Sequence, residues 1–475
     1  MPELKEVIRS ISAQRKLSLS QMSALLGYSS TTSLTRIISG NVRKSTVTDF
    51  YDRVQDTFPL NSEESLALRR AVDIRVYGSD AVQEKEAFRA WLTEERTVAP
   101  TLSVTDPDGG NPEPFAQRYG AFSGITLEII NCAYPALYGA LEEILGRTDA
   151  EVSHYFRETK SSADLARILK LVQNLLNYPN YHCFIRSGTA EAAGLLGADL
   201  ILCSWQSPTG PRSELLSLQS AEEAIAVPIG DGRAIAALIR SLEPEMTSLK
   251  RNWPVLRSLQ DYIDYSGELC SLETNSETWE IKPDLCICCI SPRILKAALV
   301  EGPLPQEQLA LFLDSFAQQH ARRYDNMLSK RKATHMLFKM DAMLQFALTG
   351  RASDHFVGFR PFTPLERVSI LNSLLHQQLE NKHFYIHFLR DDQHLPDNNL
   401  MIYGKKHMSL FCQKTHYDMN REYTDVLLEL PEAFVQKLKR FYIYDLVKER
   451  CLPEADSIAF LMSLLTKANE STANP

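Results

Sequence analysis

The sequence predicts a multidomain chain: an all-α helix-turn-helix bundle at the N-terminus followed by a mixed α/β (α+β) C-terminal region with antiparallel sheet. Three observations carry this. Residues 3–96 show only helical periodicity, residues 97–114 are crowded with Pro and Gly, and beyond them short β-branched and aromatic runs alternate with helical patterns. A length of 475 residues agrees, being too long for one small core.

In the first region, Leu4, Val7, Ile8 and Ile11 share one face of an opening helix. A short helix from about Ser20 to Leu26 follows, with Met22, Leu25 and Leu26 apolar, and Gly27 stands where a tight turn needs positive φ. The next helix starts near Thr31 or Thr32. Leu34, Ile37 and Ile38 dock it on its predecessor and leave Thr32, Ser33, Thr35 and Arg36 outward. Gly40 closes this helix, and Asn41, Arg43 and Lys44 follow in a loop. A fourth helix spans Thr46–Phe58, and two more run to about Tyr77 and from Asp80 to Arg96, either completing the bundle or forming a dimer contact.

Short hydroxyls beside one guanidinium suit a major groove, because Arg offers a fork to guanine and Ser or Thr serves phosphate or base. A helix start also presents unpaired amides to phosphate. The candidate DNA-contacting residues are therefore Gln21, Ser30, Thr31, Thr32, Ser33, Thr35, Arg36, Asn41, Arg43 and Lys44. The plainer alternative is an ordinary helical hairpin.

The segment resembles the lambda-repressor-like (XRE-type) DNA-binding domain over residues 1 to about 60. Gln21 matches the residue that opens the family's second helix, Met22 and Ser23 stand where it carries Leu-Ala, and Gly27 and Gly40 match its turn and closing glycines. The Gly27 to Gly40 spacing is one residue longer than the commonest, and Ile38 and Ser39 replace the acidic residue before the closing Gly, so the base-contact register is open by about one residue. The resemblance implies a bundle of about five helices whose third reads the groove, with double-stranded DNA as partner and a homodimer on paired half-sites. The chain as a whole then reads as a sequence-specific transcriptional regulator and not an enzyme, with an unrecognised C-terminal region expected to sense an unidentified small-molecule or peptide effector or to drive oligomerisation. The alternatives are a protein-interaction scaffold and an enzyme tethered to DNA by its head.

Charge is distributed to match. In residues 1–60 eight basic side chains oppose five acidic ones, giving +3, while the chain as a whole carries −8 and the remainder therefore −11. No apolar run is long enough to span a bilayer and no signal-peptide core opens the chain, so no membrane partner and a cytoplasmic location are expected. Nine Cys scattered through apolar stretches read as buried thiols.

Four segments are expected: residues 1–96 with the helices above, a linker at 97–114, an α/β sensor or assembly region at 115–350, and an α/β module with antiparallel sheet at 351–475. Ile125–Leu145 and Lys330–Leu348 read as helices, Pro283–Ser291 as a buried strand, and Arg233–Leu242 as a helix. Thr363, Pro364 and Glu366 form a capping box that starts a helix to about Asn381, with strands after it and a helix at Pro431–Val447. Residues 165–186 and 368–390 each run a helix into an aromatic, His-containing strand ending in Arg. They mark either tandem related modules or chance, and the frequency of helix-then-strand units favours chance.

No catalytic residue, metal site or cofactor is expected. Cys286, Cys288 and Cys289 on a strand would send the last two to opposite faces, and His383, His387, His394, His407 and His416 lack an acidic partner at ligand spacing. The Gly-bearing turn at 229–233 lacks the spacing and Lys of a phosphate loop.

Overall fold

Helical periodicity near the N-terminus closes into a single apolar core. The computed structural model describes residues 3–473 except 41, 94–100, 107–110, 148, 157–160, 179, 187–198, 219–224, 231–245, 249–258, 275, 283–284, 303–305, 329–331, 353–359, 392, 394–397 and 413–425. The chain divides into two compact units, 1–89 and 90–475. Asn41, His394, His416 and the helix expected at 233–242 lie outside the described residues.

The first unit is helical: α1 (Leu4–Gln14), α2 (Leu19–Leu25), α3 (Thr31–Ser39), α4 (Lys44–Thr57) and α5 (Ser62–Tyr77), then α6 (Ser79–Thr93), which runs past the unit's edge. Ile8, Met22, Leu34, Phe50 and Val54 meet in its core, and so do Leu68 and Val72 of α5, which is thereby part of the bundle. Leu25, read as apolar packing, is 54% exposed instead. Its place is taken by Ser23, buried because its hydroxyl donates to the Ser30 carbonyl at 2.9 Å and ties α2 to the start of α3.

One ion pair fastens α5. Arg15 Nη1 and Nη2 donate to the two carboxylate oxygens of Glu64 at 2.6 and 2.9 Å, while Glu64 also accepts from the Asn61 amide in the α5 capping box. The Arg15 hydrogen bonds hold the Glu64 carboxyl down at about 2. A carboxyl depressed in the folded state stabilises fully above its unfolded value and progressively less as pH falls toward 2. The first unit should therefore lose thermal stability below the ordinary carboxylate range, and Glu64→Gln should flatten that acid limb. An unchanged acid profile in the variant, followed by circular dichroism, would assign the loss to other groups.

The second unit holds two mixed sheets. The first, nine-stranded, has the order β2-β1-β8-β7-β6-β3-β4-β5-β9, and the second, six-stranded, has the order β12-β11-β10-β13-β14-β15. Strands of the first are β1 (Ser103–Val104), β2 (Glu113–Pro114), β3 (Thr126–Ile130), β4 (Glu151–Phe156), β5 (Tyr181–Arg186), β6 (Leu200–Ser207), β7 (Gly210–Leu218), β8 (Ile225–Gly230) and β9 (Met246–Ser248). Those of the second are β10 (Thr278–Ile281), β11 (Thr334–Lys339), β12 (Phe384–Leu389), β13 (Asn398–Tyr403), β14 (His407–Cys412) and β15 (Val426–Glu429). The packing helices are α7 (Phe115–Gly120), α8 (Pro135–Arg147), α9 (Ser162–Val172), α10 (Leu259–Thr274), α11 (Pro292–Val300), α12 (Gln306–Met327), α13 (Met340–Thr349), α14 (Pro364–Glu380), α15 (Glu432–Phe441), continued by a π-helical turn at Tyr442–Val447, and α16 (Glu454–Ala473).

Several expectations are corrected here. Residues 125–145 are not one helix: the β-branched run at 126–130 is β3, and Asn131 and Cys132, both with positive φ, break the chain before α8. Residues 330–348 likewise divide into β11 and α13. The strand expected at 283–291 is not found over its described residues 285–291, because Ile287–Cys289 forms a 3-10 turn. The Pro- and Gly-rich stretch 97–114 contributes β1 and β2, with Leu102 and Val104 in the core, and the six-stranded sheet takes strands from both sides of residue 350.

The two sheets repeat one plan. In each, three parallel strands (β3-β4-β5, β10-β11-β12) are followed by a strand returning antiparallel beside the first (β6, β13) and by two more antiparallel strands (β7-β8, β14-β15). The ladders also agree in register. Thr126 pairs with Glu151, and the next residue, Val152, with Tyr181; Thr278 pairs with Thr334, and the next residue, His335, with Tyr385. Placing Thr126 on Thr278 thus sets TLEI (126–129) on TWEI (278–281) and, two strands away, YHCFIR (181–186) on YIHFLR (385–390). Chance recurrence of a helix-strand unit does not account for matching order, direction and frame, so the echo between 165–186 and 368–390 is a tandem module.

Candidate functional site

On α3, Leu34, Ile37 and Ile38 are buried while Thr32, Thr35 and Arg36 are exposed, as the three-four spacing requires. Ser30 is the N-cap: its Oγ accepts from the Ser33 amide at 3.3 Å and lies 3.1 Å from Ser33 Oγ. The Thr35 hydroxyl donates back to the Thr31 carbonyl at 2.9 Å. Gln21 serves the start of α2, where its Oε1 accepts from the Ser18 amide and hydroxyl at 2.8 and 2.9 Å. Gln21, Ser30, Ser33 and Thr35 are thus engaged in local bonds, whereas the Arg36 guanidinium makes no hydrogen bond or ion pair to any described residue.

Basic groups gather at the far end of α3. Gly40 takes φ +113°, and a Cβ there would sit 1.4 Å from Arg75 Nη2, so only glycine lets the α5 guanidinium lie against the helix C-terminus. Arg43, exposed, precedes α4, and Lys44 Nζ stands 6.0 Å from the Tyr77 ring centroid. Arg75 carries no signal in the sequence, since its place beside Gly40 depends on how α5 packs. Arg53, also unforeseen, donates to the Leu26 carbonyl at 3.3 Å and lies over the Tyr28 ring at 5.4 Å.

The second unit buries polar groups that the sequence reading left unassigned. On one face of the six-stranded sheet, Trp279, His335 and Tyr385 stack at ring centroid distances of 4.0 and 4.5 Å across three strands, and His335 Nδ1 lies 3.4 Å from His387 Nε2. Burial lowers His335 to about 4 and His387 to about 3, so both are neutral at pH 7. His387 therefore meets His335. On the opposite side of β10, Arg323 and Glu273 form a buried, hydrogen-bonded ion pair near Glu280 and Cys286, Cys288 and Cys289. Among the described residues no group of three or more His, Cys, Asp or Glu stands ready to hold a metal ion, and no helix is long and apolar enough to cross a membrane.

No family model and no curated protein matches the chain. Among solved structures the chain is similar to the phosphatidylserine synthase of Haemophilus influenzae Rd KW20, at 12% identity over 75% of this chain and 90% of that one, with a TM-score of 0.22. This corrects the functional expectation: the similar structure is that of an enzyme, not of a DNA-binding regulator, and the reading of the chain as a sequence-specific transcriptional regulator is withdrawn. A likeness of this size transfers no activity to the chain.

Proposed function

We propose that the N-terminal unit is a helix-turn-helix module of the lambda-repressor-like kind that attaches the chain to duplex DNA through the phosphate backbone. The observation that supports this reading is the surface of α3, where Arg36 stands exposed without a partner among the described residues and Arg43, Lys44 and Arg75 lie near the helix's end. Phosphate contacts position a protein and carry no base information. The local bonds of Ser30, Ser33, Thr35 and Gln21 favour that role over base reading, because hydroxyls and amides fixed by their own caps are less able to reorient toward base edges.

Charge-neutral variants test it. Arg36→Gln, Arg43→Gln and Lys44→Gln in the full chain should each weaken binding on unrelated duplexes alike and reduce the dependence of log affinity on log salt by about 0.9 per lost contact. A triple variant that binds as the parent does would remove this surface from consideration.

A further inference from the structure

The turn at residues 286–289 brings three thiols and a carboxyl together inside the second unit. Cys286, at φ −70° and ψ 127°, leads into the 3-10 turn Ile287–Cys289, and the Cys289 amide donates to the Cys286 carbonyl at 2.9 Å. A turn closed in this way brings residues three apart within about 7 Å between Cα atoms. That overlaps the roughly 4.4–6.8 Å over which two cysteines can be joined without backbone movement. Cys286 and Cys289 have this spacing, whereas the adjacent Cys288 and Cys289 do not.

The surroundings are reactive in character. The neighbouring Cys288 and Cys289 thiols, helped by Lys282 and Arg323, hold the Cys286 sulfur below the ordinary thiol range, and Cys289 Sγ donates to Met336 Sδ at 3.4 Å. Glu280, 1% exposed and close enough to Cys286 to feel its charge, leaves its Oε2 without a hydrogen-bond partner among the described residues. Burial keeps this carboxyl protonated. A shallow pocket lined by Pro292, Leu295, Lys296 and His320 lies just beyond the turn, with His320 Nε2 2.8 Å from the carbonyl of Ile290, the residue after Cys289. The three thiols are at most 2% exposed, so the site is screened from large reagents.

We propose that Cys286 and Cys289 are a dithiol couple that hydrogen peroxide oxidises to an internal disulfide, with Glu280 as proton donor. The Cys286 thiolate attacks one peroxide oxygen and the O–O bond breaks. Glu280 protonates the departing oxygen, leaving Cys286 sulfenic acid, one water and the Glu280 carboxylate. Cys289 sulfur then attacks the Cys286 sulfur, its proton leaves with the sulfenic oxygen as a second water, and the S–S bond forms. Two sulfurs are oxidised by two electrons and one peroxide is reduced to two waters.

Trypsin spares the Lys282–Pro283 bond, so one tryptic peptide, Ser258–Arg293, carries all three thiols together with Cys270. The native full chain, treated with a small excess of peroxide and alkylated after denaturation, should yield that peptide short of two hydrogens and alkylated at Cys270 and Cys288 alone. Cys289→Ser should stop at a Cys286 sulfenic acid that dimedone traps, Glu280→Gln should slow the loss of Cys286 thiol roughly tenfold or more, and Cys288→Ser should still form the disulfide. Full alkylation of Cys286 and Cys289 after peroxide treatment of the native chain, or disulfide formation only once the chain is unfolded in urea, would overturn the proposal.

Discussion

Replacing Glu273 with alanine is expected to destabilise the second unit by about 3–5 kcal/mol. Glu273 accepts from Arg323 Nε at 2.9 and 3.1 Å and from Nη2 at 2.7 Å, and the two side chains are only 4% and 8% exposed. Burial raises the Glu273 carboxyl more than Arg323 lowers it, whereas the surrounding acids and thiols keep the guanidinium charged. Three short hydrogen bonds in a fork make the ion pair the better description of the site. Removing the acid leaves a charged guanidinium in an apolar core with no water to solvate it, and that uncompensated charge is the main cost. Removing both partners is a different experiment. The double replacement Glu273→Leu with Arg323→Met should recover most of the loss, because the pair's mutual attraction is offset by the desolvation of two charges. Chemical denaturation of the full chain distinguishes the cases; a double variant as unstable as the single one would show that the pair adds net stability.

Gly350→Ala should cost about 2–4 kcal/mol by a separate route, backbone strain together with overpacking. Gly350 caps α13 at φ +70°, its amide donating to the Phe346 carbonyl at 2.8 Å, while its own carbonyl accepts from the Phe362 amide at 2.8 Å. A Cβ would lie 2.1 Å from the Phe362 carbonyl oxygen and 2.9 Å from its carbonyl carbon and amide nitrogen. Those atoms belong to the chain just before α14, and Phe362 is itself 2% exposed in the core, so neither side can yield cheaply. Gly78, with φ +94° but nothing within 4 Å of a Cβ, provides the control: alanine there should cost only the conformational strain. Equal losses at the two positions would show that the close approach at Gly350 carries no weight.

These residues also show what the sequence discloses. The capping box Thr363–Glu366 is legible because cap and partner are local, and the structure has both of its hydrogen bonds. The three-four spacing in α3 is legible for the same reason. Local pattern fails where one apolar run changes its backbone state: 125–145 contains β3 and then α8, and only the left-handed Asn131 and Cys132 divide them. The turn at 286–289 reads as a strand because its thiols and isoleucine are buried on every side, which periodicity cannot resolve. Arg75 against Gly40, Glu64 against Arg15 and His335 against His387 are contacts across 35 to 52 residues of chain, fixed by packing and not by spacing. The tandem module was visible as a faint echo, but its frame became readable only through the strand ladders.

We propose that the surface formed by α3 and its neighbouring cations holds duplex DNA through phosphates. The most direct test is the affinity of the full wild-type chain for a labelled duplex of arbitrary sequence, followed by fluorescence anisotropy across a salt series. With three or four phosphate contacts the account predicts binding at low salt and a log–log salt slope of about −3 to −4. A chain that leaves the duplex free at the lowest ionic strength, or binds it with no dependence on salt, would contradict it.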